Sequence, residues 1–171
     1  RAAITDGLSL PGVEFALSRQ DVNRLSQDGP AGPCDVPMDP QQTYRLAYTG
    51  GTTGRSKGVI LTLRTLQAQV TNYLAEHVPG IGVGDLMVHA APVSHASGSY
   101  FLPHLVRGAT SVLLPHYRAG EFLETMTRLD AELDEGRALR TFLVPTMMAA
   151  LLDEPNIDDV SLSRLRQISY G

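Results

Sequence analysis

Cysteine is nearly absent from this sequence. The single Cys34 among 171 residues excludes an internal disulfide framework and suits a reducing compartment, so a cytoplasmic location is expected. Long apolar runs are missing as well. No stretch approaches the roughly 18 apolar residues that a membrane span requires, and no signal peptide stands at the start. Positive charge is not in excess: 14 Lys and Arg face 18 Asp and Glu, giving a net charge of −4. That balance gives no global reason to expect nucleic acid or an anionic membrane as partner. There is no initiator Met, so Arg1 is expected to open an internal or trimmed piece of a longer chain. The length is still enough to bury a core without staples.

Lysine is the most informative scarcity. Of the 14 basic side chains one is lysine, Lys57, and the rest are arginine. A compact ammonium and a planar guanidinium are not interchangeable, so the exception asks for a reason in its neighbours.

Residues 1–43 read as an irregular, loop-rich lead-in, with a short apolar run at Val13–Leu17 and four prolines between Ser26 and Pro40. From residue 44 the texture changes. Tyr44–Tyr48 and Val59–Thr62 read as strands, and Leu63, Leu66, Val70, Tyr73 and Leu74 recur at helical spacing. Strands are expected at Leu86–Ala91, Ala109–Leu114, Thr141–Val144 and Gln167–Tyr170. Helices are expected over Ser97–Val106 (kinked or shortened by Pro103), Phe122–Leu133 and Thr146–Leu152. This alternation implies an α/β fold, a largely parallel sheet with flanking helices and right-handed crossovers. Ligands of such sheets collect outside the carboxyl ends of the strands.

Thr49–Gly58 (TGGTTGRSKG) holds four glycines, three threonines, a serine, Arg55 and Lys57. Glycines let successive N–H groups converge on an anion, hydroxyls add donors, and Lys57 adds a flexible charge. From Pro40 to Ala75 there are four cations and no Asp or Glu, while the remainder of the chain has 10 basic residues against 18 acidic ones. A cationic window in an acidic chain fits a phosphate site. It is not a Walker A loop, because Lys57 follows Ser56 and precedes Gly58. The flanks read strand–loop–strand, so no helix dipole is aimed at the anion. A solvated Gly/Thr-rich connector is the bland alternative.

The run YRLAYTGGTTGRSKGVILT resembles the phosphate-loop signature of adenylate-forming (AMP-binding) enzymes, roughly Y-T-S-G-T-T-G-x-P-K-G-V. Gly50 stands where that signature usually has Ser, and Ser56 where it usually has Pro. The resemblance continues through Ala91–Gly98 (APVSHASG, with Pro92, His95 and Gly98 in register), Arg107–Thr110, Val144–Thr146 and Ser163–Gly171. It implies a partial AMP-binding domain over 44–171, an incomplete portion of the family's large N-terminal domain, with a phosphate loop at 48–59 and an acyl-pocket side at 91–106.

What the resemblance implies is an acid–CoA ligase acting in two steps. A carboxylate attacks the α-phosphate of ATP to give an acyl-adenylate and pyrophosphate; a thiol, usually coenzyme A, then displaces AMP. Thr49, Gly50, Gly51, Thr52, Thr53, Gly54 and Lys57 would bind ATP, delivered with Mg²⁺, and Lys57 and Thr52 would stabilise the leaving pyrophosphate. His95, Gly98 and Gly171 would lie at the acid. The side chains after His95 lean toward a fatty, alicyclic or aryl acid. A carrier protein is the alternative acceptor to CoA. Two readings outside the family remain: a self-associating, non-catalytic fragment joined through unfinished sheet edges, and an ATP-binding domain of another class such as a kinase. No protein metal site is expected, since His77, His89, His104 and His116 lack ligand spacing. Asp130–Glu135 reads as a solvated helix face, and Phe101, Leu102, Met147 and Met148 as core. Ser99 and Tyr100 are candidate acyl-pocket lining residues.

The signature's partners elsewhere in the family, a Y-G-x-T-E motif and a second lysine, are absent. The 171 residues alone are therefore expected to form no acyl-adenylate, checked by incubating them with ATP and a carboxylic acid and assaying for the product.

Overall fold

The computed structural model describes residues 2–4, 15–28, 37–49 and 57–171. The chain divides into two compact units, Arg1–Met38 and Asp39–Gly171. In the first, β1 (Ala2–Ile4) pairs in parallel with β2 (Phe15–Leu17), and α1 (Arg19–Asp28) follows. This helix lies inside the stretch expected to be irregular. Its start has a local cause: the Asp21 amide donates to Ser18 Oγ at 3.1 Å, and the Ser18 amide donates back to Asp21 Oδ2 at 3.0 Å. That reciprocal cap satisfies two amide donors at the helix start.

The second unit opens with an antiparallel hairpin, β3 (Thr43–Thr49) and β4 (Lys57–Thr62). α2 (Leu63–Asn72) follows directly, with Thr62 Oγ1 accepting from the Thr65 amide, and a π-helical turn continues over Tyr73–His77. Then β5 (Leu86–His89), α3 (Phe101–Val106), β6 (Thr110–Leu113), α4 (Ala119–Glu132), β7 (Leu139–Leu143), α5 (Pro145–Leu152) and β8 (Leu165–Tyr170) build a parallel sheet of order β6-β5-β7-β8. The α/β expectation holds. Its boundaries shift: β5 stops at His89, and the segment expected to be one helix from Ser97 divides into a 3₁₀ turn, Ala96–Tyr100, and α3. The division places Pro103 in the first turn of α3, where its missing N–H costs no helical hydrogen bond.

Strand alternation sorts the core onto two faces. Met87 and Phe142 point to one face, with Val78, Ile81 and Tyr100. Val88, Leu139 and Leu143 point to the other, against Phe122, Met126 and Leu129 of α4. Central β7 is buried at every position, as a strand covered on both faces must be, whereas β8 alternates and leaves Ile168 and Tyr170 exposed. Met147 and Met148 are half-buried and pack against the core, as the sequence suggested, whereas Phe101 is 37% exposed and is not an interior residue. Asp130 is a second correction. It is buried rather than solvated, and its carboxylate accepts from the Ser163 and Arg164 amides at 3.0 and 2.7 Å, which anchors the approach to β8.

Asp85 ties the amino end of the sheet together. Its carboxylate accepts from the Gly82 amide at 2.9 Å, the Ala138 amide at 2.8 Å and Arg140 Nη1 at 2.6 Å. Burial alone would raise its pKa, but the amides and the guanidinium outweigh it and hold the group below the ordinary carboxylate range. Asp85→Asn leaves Arg140 buried without its counter-charge, so chemical denaturation should show a loss of about 3–5 kcal/mol. The stabilisation of the wild type over the variant is full above the unfolded carboxylate pKa and disappears as pH falls through the lower folded one.

Candidate functional site at the carboxyl edge of the sheet

β3 and β4 face each other as Thr49↔Lys57, Tyr48↔Gly58, Ala47↔Val59, Leu46↔Ile60 and Arg45↔Leu61. The glycine-rich segment therefore closes a hairpin, with Thr49 and Lys57 at its mouth, as the strand–loop–strand reading expected. Gly50, Gly51, Thr52, Thr53 and Gly54 lie outside the described residues. Lys57 is exposed on β4. Beside it, the Tyr48 ring covers Gly58 so closely that a β-carbon there would sit 3.3 Å from the ring. The glycine lets an aromatic ring lie flat across the hairpin.

The second element is the turn after β5. The His95 amide donates to Pro92 O at 3.1 Å and the Gly98 amide to His95 O at 3.0 Å, which folds the chain back before the 3₁₀ turn. A β-carbon on Gly98 would meet Val93 O at 1.8 Å, so the residue is required by packing whatever it does for a ligand. His95 is exposed at the crest. Three side chains hold the turn from different elements. Arg45 Nη2 donates to Ser94 O at 2.8 Å, His89 Nδ1 bonds Ser97 Oγ at 2.8 Å, and Gln69 Nε2 donates to Ser99 Oγ at 3.2 Å. Ser99 and Tyr100 thus have structural partners, Tyr100 stacking edge-on against Tyr73 at 5.0 Å.

His89 was weighed in the sequence only as a metal ligand, and its structural role was not foreseen. It is 1% exposed, and its Nε2 reaches Ser111 Oγ on β6 at 3.2 Å. Burial, reinforced by nearby His104, lowers its pKa to about 4 despite the hydrogen bond to Ser97, so it is neutral near pH 7. The pair is no nucleophile and base, because Ser97 is wholly buried. A histidine inside an otherwise apolar strand was the available signal. His104 Nδ1 lies 2.7 Å from Tyr100 O, a pure acceptor, so Nδ1 carries the proton in the neutral ring. His116 pairs with Glu121 at 2.9 Å. Among the described residues no three His, Cys, Asp or Glu side chains gather where they could hold a metal ion, and no helix is long and apolar enough to cross a membrane.

β5 leads toward β6 and β7 toward β8, so the crevice between the carboxyl ends of β5 and β7 is the switch point of the sheet. A cleft of about 460 Å³ lies at the carboxyl end of the sheet, walled mainly by residues at and after the ends of β5 and β6, among them Ala91, Pro92, Val93, Leu113 and Leu114, with Met147 of α5, and with His89, Ser94, His116 and Tyr117 as polar members. Gly171, exposed just past β8, is on the same edge, two strands or about 10 Å across from β5. The fold thus brings His95, Gly98 and Gly171 to one edge of the sheet.

The family model described as AMP-binding enzyme matches residues 5–171. The chain belongs to the AMP-binding enzyme family. It is similar to the medium/long-chain-fatty-acid–CoA ligase FadD8 of Mycobacterium tuberculosis, 35% identical over 85% of this chain and 24% of that protein. It is also similar to the indoleacetate–CoA ligase of Aromatoleum aromaticum, 30% identical over 86% of this chain and 28% of the relative. The chain therefore spans about a quarter of the length of these relatives. Its fold is that of the N-terminal domain of FACL13 from Mycobacterium tuberculosis, with a TM-score of 0.78 over 96% of this chain and 40% of that one, at 16% identity. In this AMP-binding domain the buried His89 has a measurable signature. Its unfolded ring takes a proton near pH 6.5 and its folded ring only near pH 4, so stability is full above that window and falls on acidification through it. Between those limits the wild type should lose about 3 kcal/mol more than His89→Gln, read by chemical unfolding at successive pH values.

Proposed function

We propose that the chain is part of an ATP-dependent acid–CoA ligase, which joins a carboxylic acid to AMP with release of pyrophosphate and then transfers the acyl group to the thiol of coenzyme A. The observation that carries this reading is the hairpin with Thr49 and Lys57 at its mouth, in a chain of the AMP-binding enzyme family. Both relatives described above are acid–CoA ligases by name. Because the chain spans about a quarter of their length, the activity belongs to the complete polypeptide.

In this reading Thr49 through Gly54 and Lys57 hold the β- and γ-phosphates. The carboxylate oxygen bonds to the α-phosphorus while the bridge to the β-phosphate breaks, and the departing pyrophosphate takes the electron pair. Backbone N–H groups, the Thr52 hydroxyl and the Lys57 ammonium answer that growing charge by position alone. Mg²⁺ enters with ATP and shares the same charge. His95, Gly98 and Gly171 position the acid at the carboxyl edge of the sheet. The mainly apolar wall of the adjacent cleft suits a hydrophobic organic group better than a phosphate.

The test is acid-dependent exchange of labelled pyrophosphate into ATP by the complete enzyme, with dodecanoate and indoleacetate as acids. Lys57→Ala should lower the exchange rate about 10²–10³-fold, the usual cost of one donor to a developing anion. An unchanged rate removes Lys57 from the phosphate site.

A further inference from the structure

Two buried histidines hold the turn after β5 from beneath, one at each end. His89 closes β5, and its Nδ1 lies 2.8 Å from Ser97 Oγ, near the start of the 3₁₀ turn Ala96–Tyr100. His104 of α3 donates from Nδ1 to Tyr100 O, at the end of that turn, at 2.7 Å. His89 is 1% exposed, and Ser97 and His104 are fully buried, so these bonds form out of contact with water. Between the two ends the chain packs against itself. A β-carbon on Gly98 would overlap Val93 O, so any shift of Ser97 and Gly98 is passed on to Val93. Val93 and Ser94 belong to the wall of the cleft, as does His89, and His95 is exposed at the crest of the same turn. We propose that His89 is a positioning residue for the acid: through Ser97 it sets the height of the His95 turn, and with it the cleft wall that receives the acid's organic group.

The two hydrogen bonds of His89 lead to different places. Nδ1 reaches the turn, whereas Nε2 reaches Ser111 Oγ on β6 at 3.2 Å. The ring is neutral near pH 7, so one nitrogen donates and the other accepts, and a serine hydroxyl can serve either role. The Ser111 bond runs to a strand already paired with β5 from Leu86↔Thr110 to His89↔Leu113, so the ladder holds that register without it. The Ser97 bond runs to a turn that no ladder holds. The turn's other side-chain ties, Arg45 to Ser94 O and Gln69 to Ser99, are exposed and half-buried, and the His89 bond is the buried one. Breaking it leaves a buried hydroxyl without its partner, which the turn relieves by moving toward water. The cleft wall moves with it.

This inference rests on the acid lying at the His95 turn, and substitution separates the two bonds. An asparagine side chain ends near the place of imidazole Nδ1, and a glutamine side chain near that of Nε2. His89→Asn therefore keeps a partner for Ser97, and His89→Gln keeps one for Ser111. In the complete enzyme, kcat and KM are measured for dodecanoate and for ATP by acid-dependent pyrophosphate exchange, and stability by chemical unfolding. His89→Gln and Ser97→Ala should raise KM for the acid about tenfold, the scale of one buried hydrogen bond, with KM for ATP unchanged. His89→Asn and Ser111→Ala should leave both near the wild-type values. If the His89 variants do not fold, the two serine variants decide alone. A purely structural histidine would make the effects follow loss of stability and move both KM values together, which overturns the proposal. An unchanged acid KM in His89→Gln and Ser97→Ala, with the wild type active, overturns it as well and leaves the ligase reading intact. A wild type without exchange for either dodecanoate or indoleacetate removes the ligase reading, and the proposal with it.

Discussion

Asp85 holds the amino end of the parallel sheet in register, and the geometry of the opposite edge follows from it. A carboxylate buried to this degree is costly unless its lone pairs are met, and here two amides and the Arg140 guanidinium meet them. Those donors come from the loop before β5 and from the start of β7, so one side chain aligns two neighbouring strands. The pairing of Leu86 with Leu139 at that end continues to His89 with Phe142 at the other. The turn after β5 and the start of α5 are thereby brought level on either side of the switch point.

The same economy recurs in other buried polar groups, each fixing one passage of backbone. Asp130 receives the amides of Ser163 and Arg164 and so sets where β8 begins. His89 spans from Ser97 to Ser111 and ties the turn after β5 to β6. Its neutrality is part of its role, because a charged imidazole in that interior would lack a counter-ion among the partners that hold it. Apolar contacts supply most of the burial, but they do not by themselves decide where a loop crosses the sheet edge. The polar contacts of Asp85, Asp130 and His89 do.

Much of this was readable in the residues. The four strands of the sheet and the helices between them follow from short apolar, β-branched runs alternating with 3.6-residue periodicity. The glycine-rich loop between two strands follows from composition and charge. Boundaries were less legible. β5 ends before the apolar run does, because Ala90 and Ala91 are buried as well but serve the crossing to the turn. α1 was missed because its start depends on a two-residue exchange between Ser18 and Asp21, not on an apolar stripe. Asp130 was misread because an acidic cluster on a helix usually faces water, and only its position against the Ser163–Arg164 amides shows otherwise.

Local order in this protein belongs to the sequence: strand and helix periods, the glycine-rich run at 49–58, and the lone Lys57 within it. These depend on neighbours a few residues apart, which a linear reading sees. The tertiary structure alone decided which distant residues meet. Arg45 was one cation among several until the hairpin face turned it onto Ser94, 49 residues away. Gly98 was one glycine of a motif until the Val93 carbonyl was found where its β-carbon would be. Register and close approach are properties of packing, set by contacts that no window of sequence contains.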